Sequence, residues 1–315
     1  MSNTPAAHGE IWPNFLVIGA PKSGTTSLYH YLSQHPDVFL SRVRKEGRFF
    51  SGVGLGEVYW PEFYHFDTAP QISDYQALMG DYGGEARIGD VSPDYYAYAG
   101  KAAPRALELC GSQTRIIAIL RNPVDRTYSH YLQNVRRDAE FLSFARALED
   151  EPRRIRENWG FQWLYWDTSV YVDRLKIWQS HFPEMLVLLQ DELDQDGPGT
   201  VRRIFDFLDL EPREVSTSER HNTGGIPTSK KMIIDGRFDS RMGEDFDALH
   251  AELIAPVSGT SSAKSADGVY PPLDDTPVSV PPMAASMRAH LQDRFEPSIQ
   301  ALEVFLDRNL DVWRP

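Results

Sequence analysis

The stretch Gly19-Ala20-Pro21-Lys22-Ser23-Gly24-Thr25-Thr26-Ser27 gathers backbone freedom, hydroxyl groups and one cation into a single short segment. A tight turn that opens a helix presents unpaired N–H groups and the positive end of the helix dipole, and Lys22 adds a full charge. Such a turn cradles a phosphate or a sulfate. It does not follow the G-x-x-x-x-G-K-[ST] order of ATP-binding loops: Lys22 precedes Gly24 by two residues, which displaces both the cation and the Mg²⁺-holding hydroxyl. A second anion site is suggested by Arg121 and Ser129, which lie about two helical turns apart and can face one tetrahedral anion. Alone, Arg121 would read as a capping ion pair and Ser129 as a surface hydroxyl. Together with the first loop they describe two separated anion sites.

These residues need elements to hold them. Asn14 to Ile18 is a short apolar run that stops at Gly19-Ala20-Pro21, as a buried strand ending in a turn would, and Thr25 and Thr26 are expected to cap a helix carrying Leu28 and Leu32. The unit recurs: a strand over Ile116 to Leu120, then a helix with Val124, Tyr128, Tyr131 and Val135 on one stripe. A third stripe, Tyr171, Leu175, Trp178 and Phe182, precedes a strand over Met185 to Leu189 and a helix with Val201, Ile204, Phe205 and Leu208. An extra strand over Arg87 to Val91 would bring Asp90 to the same edge. Strands alternating with helices predict a three-layer α/β/α domain around a central parallel sheet, with ligands at the carboxyl ends of the strands. Residues 236–282 lose this periodicity and carry Ser258-Gly259-Thr260-Ser261-Ser262-Ala263 and two Pro-Pro pairs. They read as a mobile insertion or lid within one domain spanning 1–315, a plain excursion being the equal alternative. Helical spacing returns from Met287, where Pro297 is expected to open a fresh helix.

Composition narrows the partners. A net charge of −13 argues against a broad nucleic-acid footprint, yet leaves room for a small anion met by a local cluster such as Arg42, Arg44, Lys45 and Arg48. No apolar run is long enough to span a membrane and no leader pattern is visible, so neither membrane insertion nor export is expected. Cys110 stands alone, which excludes an internal disulfide framework and fits a reducing cytoplasm. Oligomeric state is not written in the sequence.

Pro21 to Leu28 resembles, at every position, the first cofactor loop of the sulfotransferases that use 3′-phosphoadenosine-5′-phosphosulfate (PAPS), P-K-[ST]-G-T-[ST]-[ST]-L. Arg121 to Tyr131 is similar to a second signature of that family, R-[DN]-P-x-x-R-x-x-S-x-[YW]. The resemblance implies a P-loop-like nucleotide-binding core in which Lys22, Ser23, Gly24, Thr25, Thr26 and Ser27 hold the 5′-phosphosulfate, while Arg121 and Ser129 grip the 3′-phosphate. Tyr171 to Leu210 and Leu310 to Trp313 resemble later family segments, so coverage is nearly complete apart from 236–282. Lys230, which follows His221-Asn222 where relatives place a third cofactor loop, is a further implied contact, although the K-G-x-x form is missing.

Lys45-Glu46-Gly47-Arg48-Phe49-Phe50 resembles the K-E-x-H-F-F segment of the heparan-type members, in which the Glu is the catalytic base; Glu46 then takes that role, with Arg48 in place of the His. Gly89-Asp90-Val91-Ser92-Pro93-Asp94-Tyr95 resembles G-E-K-[ST]-P-x-Y, which makes Asp90 the second candidate base and puts Val91 where some members carry a Lys. The His of cytosolic aryl and steroid members has no counterpart, and His65 and His130 read as structural or surface residues. The implied reaction moves a sulfuryl group to a hydroxyl or amine of a small-molecule or glycan acceptor, with adenosine 3′,5′-bisphosphate as the other product. Lys22 would follow charge onto the leaving phosphate oxygen, and no metal is expected because the transferred group carries a single negative charge. Two rivals are an ATP- and Mg²⁺-dependent phosphotransferase, which lacks its loop order here, and a non-catalytic nucleotide-binding module, against which Glu46 stands. Aromatic residues around 59–66 and 159–166 are candidate walls of an acceptor cleft, core packing being the plainer account.

Overall fold

Short strands with apolar residues on both faces build the centre of the molecule. In this computed structural model the described residues are 9–52, 58–59, 68–137, 139–140, 142–217 and 282–314, with the backbone of 226–227 and 278–279. The strands are β1 (Phe15–Gly19), β2 (Val38–Leu40), β3 (Arg87–Val91), β4 (Arg115–Leu120) and β5 (Met185–Leu189). They form one sheet in the order β2-β3-β1-β4-β5, and every pairing is parallel. Between and after them run α1 (Thr25–Leu32), α2 (Ile72–Ala77), α3 (Asp94–Ala97), α4 (Ala99–Cys110), α5 (Pro123–Arg136), α6 (Phe144–Arg156), α7 (Val172–His181), α8 (Gln190–Gln195), α9 (Gly197–Phe207) and α10 (Ala285–Leu306).

The two-residue period of the strands divides the interior in two. Leu16, Ile18, Ile116, Ala118 and Leu120 pack under α4, α5, α7 and α10, whereas Phe15, Val17, Ile117, Ile119 and Leu188 pack under α1 and α9. Each of these side chains is fully buried, a transfer worth roughly 1.5–3 kcal/mol apiece for Leu, Ile, Val or Phe. The three-layer expectation therefore holds, and so does the strand that carries Asp90.

Two local expectations fail for physical reasons. Gly24, not a threonine, is the residue at the start of α1: its φ of 109° lets the chain leave the turn in a left-handed conformation that a side chain would strain. Thr25 is already the first helical residue. Pro297 lies inside the continuous α10 instead of opening a new helix, because Leu291, Phe295, Ile299 and Leu302 form one buried stripe across it, and that burial outweighs the lost backbone hydrogen bond. The strand β2, which the sequence reading did not include, has three residues, too few to show a period. Within 226–282, Ile226–Pro227 pairs antiparallel with Val278–Ser279. The rest of the expected lid, Pro282 apart, lies outside the described residues.

Strand order decides what meets at the carboxyl edge. β2 runs into the loop carrying Lys45 to Phe50, β3 into Ser92, β1 into the glycine-rich turn, and β4 into Arg121. Residues distant in sequence thus become neighbours along one edge.

Candidate active site

The turn after β1 is braced from below. Arg126, wholly buried on α5, donates to the Pro21 carbonyl at 3.1 Å, to Ser169 Oγ at 2.7 Å, to Thr168 Oγ1 at 2.9 Å and to the Tyr165 carbonyl at 2.8 Å. It ties the anion loop to the 165–169 turn. Arg121 Nη1 lies 3.5 Å from the Lys22 carbonyl, and Tyr171 Oη donates to the Arg121 carbonyl at 2.7 Å. Asn122 caps α5 through Val124 N and donates to the Trp313 carbonyl at 2.9 Å, while Trp313 Nε1 donates to Asp191 Oδ2 at 2.8 Å. The C-terminal Leu-x-x-Trp segment is therefore a buttress for the second anion loop.

Within the turn, Ser23 is fully buried and its hydroxyl makes no well-aligned hydrogen bond among the described residues, although the Tyr171 phenol is close enough to feel it. Buried hydroxyls are nearly always satisfied, so an aligned acceptor is wanting here. Thr25 is buried, Thr26 and Ser27 half-buried, all in the first turn of α1. Burial, and then Arg137, Arg121, Arg136 and Arg126, push the Lys22 ammonium down to about 7. A lysine crowded by four guanidinium groups is a poor arrangement for an empty site and a good one for a polyanion. Ser129 sits half-buried on the same helix as Arg126 and Arg136. The residues present therefore fit a ligand bearing several phosphate or sulfate charges.

Glu46 stands across from this cradle. Lys45 Nζ lies 3.0 Å from Glu46 Oε1 and 3.5 Å from Thr25 Oγ1, so it links the carboxylate to the anion loop. Arg48 holds Glu46 Oε2 through Nε at 3.0 Å and through Nη2. Burial pushes the Glu46 carboxyl up, but Lys45 and Arg48 overcome it and hold the group well below the ordinary carboxylate range.

Asp90, the second candidate base, sits on β3, next to the strand that leads into the glycine-rich turn. It is 5% exposed and accepts from Tyr75 Oη at 2.9 Å, Tyr95 Oη at 2.6 Å and Ser92 Oγ at 2.6 Å. Ser92 Oγ in turn accepts from Arg48 N at 3.2 Å, and Tyr95 Oη from Phe49 N at 3.1 Å. A Cβ on Gly47 would stand 2.8 Å from the Tyr75 ring and 3.1 Å from Asp90 Oδ2, so the loop rides directly on this knot. Burial raises the Asp90 carboxyl. With its oxygens engaged, Asp90 fixes the loop that presents Glu46.

Lys230, His221, Asn222 and His65 lie outside the described residues. His130 is buried beside Arg126, with burial and that guanidinium pushing its imidazole well down, as suits a structural residue. Of the candidate cleft aromatics, Trp163 and Tyr165 belong to the interior, while Tyr59 is half exposed and packs on Trp159 with ring centroids 5.0 Å apart. Three residues of the cation cluster had no role in the sequence reading: Arg126, Arg136 and Arg137. Arg126 was signalled by its place in the second motif, whereas the Arg136-Arg137 pair at the end of α5 acquires meaning from the way that helix returns past Lys22.

Comparison with known proteins agrees with this geometry. Residues 13–223 match the sequence profile described as the sulfotransferase domain. Mouse heparan sulfate glucosamine 3-O-sulfotransferase 3A1 is 27% identical over 231 residues, covering 71% of this chain and 53% of the relative. Human heparan sulfate glucosamine 3-O-sulfotransferase 6 is 28% identical over 228 residues, covering 70% and 59% respectively. The chain thus spans about half the length of these curated relatives. The crystal structure of a sulfotransferase from Alicyclobacillus acidocaldarius superposes with a TM-score of 0.69 at 26% identity, over 97% of this chain and 100% of that one.

Proposed function

Because the chain belongs to the sulfotransferase domain family, we propose that it transfers a sulfuryl group from PAPS to a hydroxyl or amine of a small-molecule or glycan acceptor, with Glu46 as the base. The observation that carries this reading is the crowding of Lys22 by four arginines, one brace away from a carboxylate that Lys45 ties to the same loop. PAPS, when bound, supplies an activated sulfuryl group. Lys22, Ser23 and the N–H groups of residues 24–27 would hold its 5′ end, and Arg121 and Ser129 its 3′-phosphate; Lys230 stays an implied contact. Glu46 takes the proton of the acceptor as its oxygen or nitrogen bonds to sulfur, and Lys22 neutralises the phosphate oxygen that keeps the electron pair of the broken S–O bond.

The names of the curated relatives favour a glucosamine-containing glycan as the acceptor. Val91 in place of Lys argues that acceptor contacts differ in detail. Among the described residues no helix is long and apolar enough to cross a membrane. The single Cys110 is what supports a cytoplasmic setting.

The test pairs binding with turnover. Calorimetry should show adenosine 3′,5′-bisphosphate binding without metal and more tightly than Mg-ATP, and an acceptor screen should show a mass gain of one sulfonate. Glu46→Gln should keep the nucleotide affinity and lose about 10²- to 10⁴-fold in turnover, the scale of a missing general base. Absence of affinity for the bisphosphate would overturn the proposal. Binding without transfer to any acceptor would favour the non-catalytic module.

A further inference from the structure

Asp94, the first residue of α3, is 1% exposed, and neither of its carboxylate oxygens has a hydrogen-bond partner among the described residues. Folded proteins rarely leave such a group idle. The Ser51 hydroxyl is close enough to favour the ionised carboxyl, but its aligned hydrogen bond goes to the Arg48 carbonyl at 3.1 Å. Facing Asp94 are Arg48 and Glu46 from the loop after β2, Asp90 from β3, and the neighbouring Tyr95. Arg105 of α4 is engaged elsewhere, donating to the Phe49 carbonyl at 2.8 Å and lying over the Phe49 ring. Arg48, whose N–H donates to Ser92 Oγ at 3.2 Å two residues before Asp94, is the cation that acts on it, and its guanidinium is held by Glu46 through Nε and Nη2. Two carboxylates face one guanidinium, and one of them has it.

We infer that Asp94 is a positioning residue that competes with Glu46 for Arg48, drawing the guanidinium aside so that Glu46 can accept the proton of the acceptor. The inference rests on the reading of Glu46 as the base. A carboxylate clamped by two cations binds a proton weakly, and withdrawing one cation strengthens it as a base. Burial raises the Asp94 carboxyl to about 7, against the pull of Arg48. Below that pH Asp94 is neutral and Arg48 remains on Glu46. Above it the anion recruits Arg48, so transfer at saturating donor should rise as pH increases through neutrality.

The test reads Arg48 directly and needs no acceptor. In ¹⁵N spectra of the full chain, free and with adenosine 3′,5′-bisphosphate, the Arg48 Nε–H signal should move with a midpoint near neutrality between about pH 5.5 and about pH 8.5. In Asp94→Asn the movement should vanish, while nucleotide affinity is kept. On an acceptor that the wild type sulfates, and with the donor saturating so that bound Lys22 keeps its proton, Asp94→Asn should give a rate about tenfold lower and without the rise through neutrality. Asp94→Ser serves as the second variant should the first melt early. An Arg48 signal that does not titrate in the wild type, or titrates equally in both variants, overturns the inference. Full activity of Glu46→Gln would instead remove the base assignment, a separate outcome that leaves the Arg48 measurement standing.

Discussion

Lys22 shows how one residue stores the readiness of a site to bind. Its φ of 68° is uncommon for a residue with a side chain, and its ammonium is pushed to about 7 by burial and by the surrounding arginines. A bound anion offsets the electrostatic cost of that environment. The sign of the pH effect follows: below about 7 the free protein already carries the charge, and above it binding must draw in a proton. Affinity for adenosine 3′,5′-bisphosphate should therefore decline as pH rises through neutrality, with proton uptake visible as calorimetric heats that depend on the ionisation enthalpy of the buffer. Lys22→Ala should abolish that uptake and reduce transfer by about 10²- to 10³-fold, the scale of losing one donor to a developing oxyanion. Unaltered pH dependence in Lys22→Ala would reassign the proton to another group.

Among the elements, α5 does the most to assemble the site. One face is core, with Val124, Tyr131 and Val135 buried, and its first turn is set by the Asn122 cap and Pro123. Arg126, one turn in, converts that rigid helix into a brace for the loop after β1. A lysine keeps the charge but cannot reproduce a planar fork shared among Pro21, Tyr165, Thr168 and Ser169. Arg126→Lys is expected to cost about 2–4 kcal/mol in denaturant unfolding, since the surrounding buried acceptors lose partners, and to weaken nucleotide binding besides. If stability falls while nucleotide affinity is unchanged, Arg126 supports the core without shaping the loop.

For the molecule as a whole, the parallel sheet places four loops on one edge, and a ligand that bridges them stabilises the native state alone. At a free concentration 100-fold above its dissociation constant, adenosine 3′,5′-bisphosphate should add about 2.7 kcal/mol, read as a rise in Tm of several degrees. The same rise and the same rate of transfer are expected in the presence of EDTA, because a singly charged transferred group can be served by Lys22 and the arginines. Loss of transfer on chelation, restored by Mg²⁺, would return the phosphotransferase alternative to consideration.

The local pattern determined a good deal by itself. The runs at 14–18, 116–120 and 185–189 announced three strands, and the loops that follow the first two carried the anion chemistry in their residue types, because strand period and turn chemistry are short-range properties. The Lys45 to Phe50 segment named Glu46 by resemblance in the same way. Tertiary structure decided the rest: that Asp90 is spent on Tyr75, Ser92 and Tyr95, that Pro297 rides within a helix, that Arg126 is a brace, and that Asp94 is buried close to the Arg48–Glu46 pair. These outcomes turn on which groups end up buried together and on which partners are left over. Sheet order and burial settle that between residues far apart in the chain, and no local window of sequence contains it.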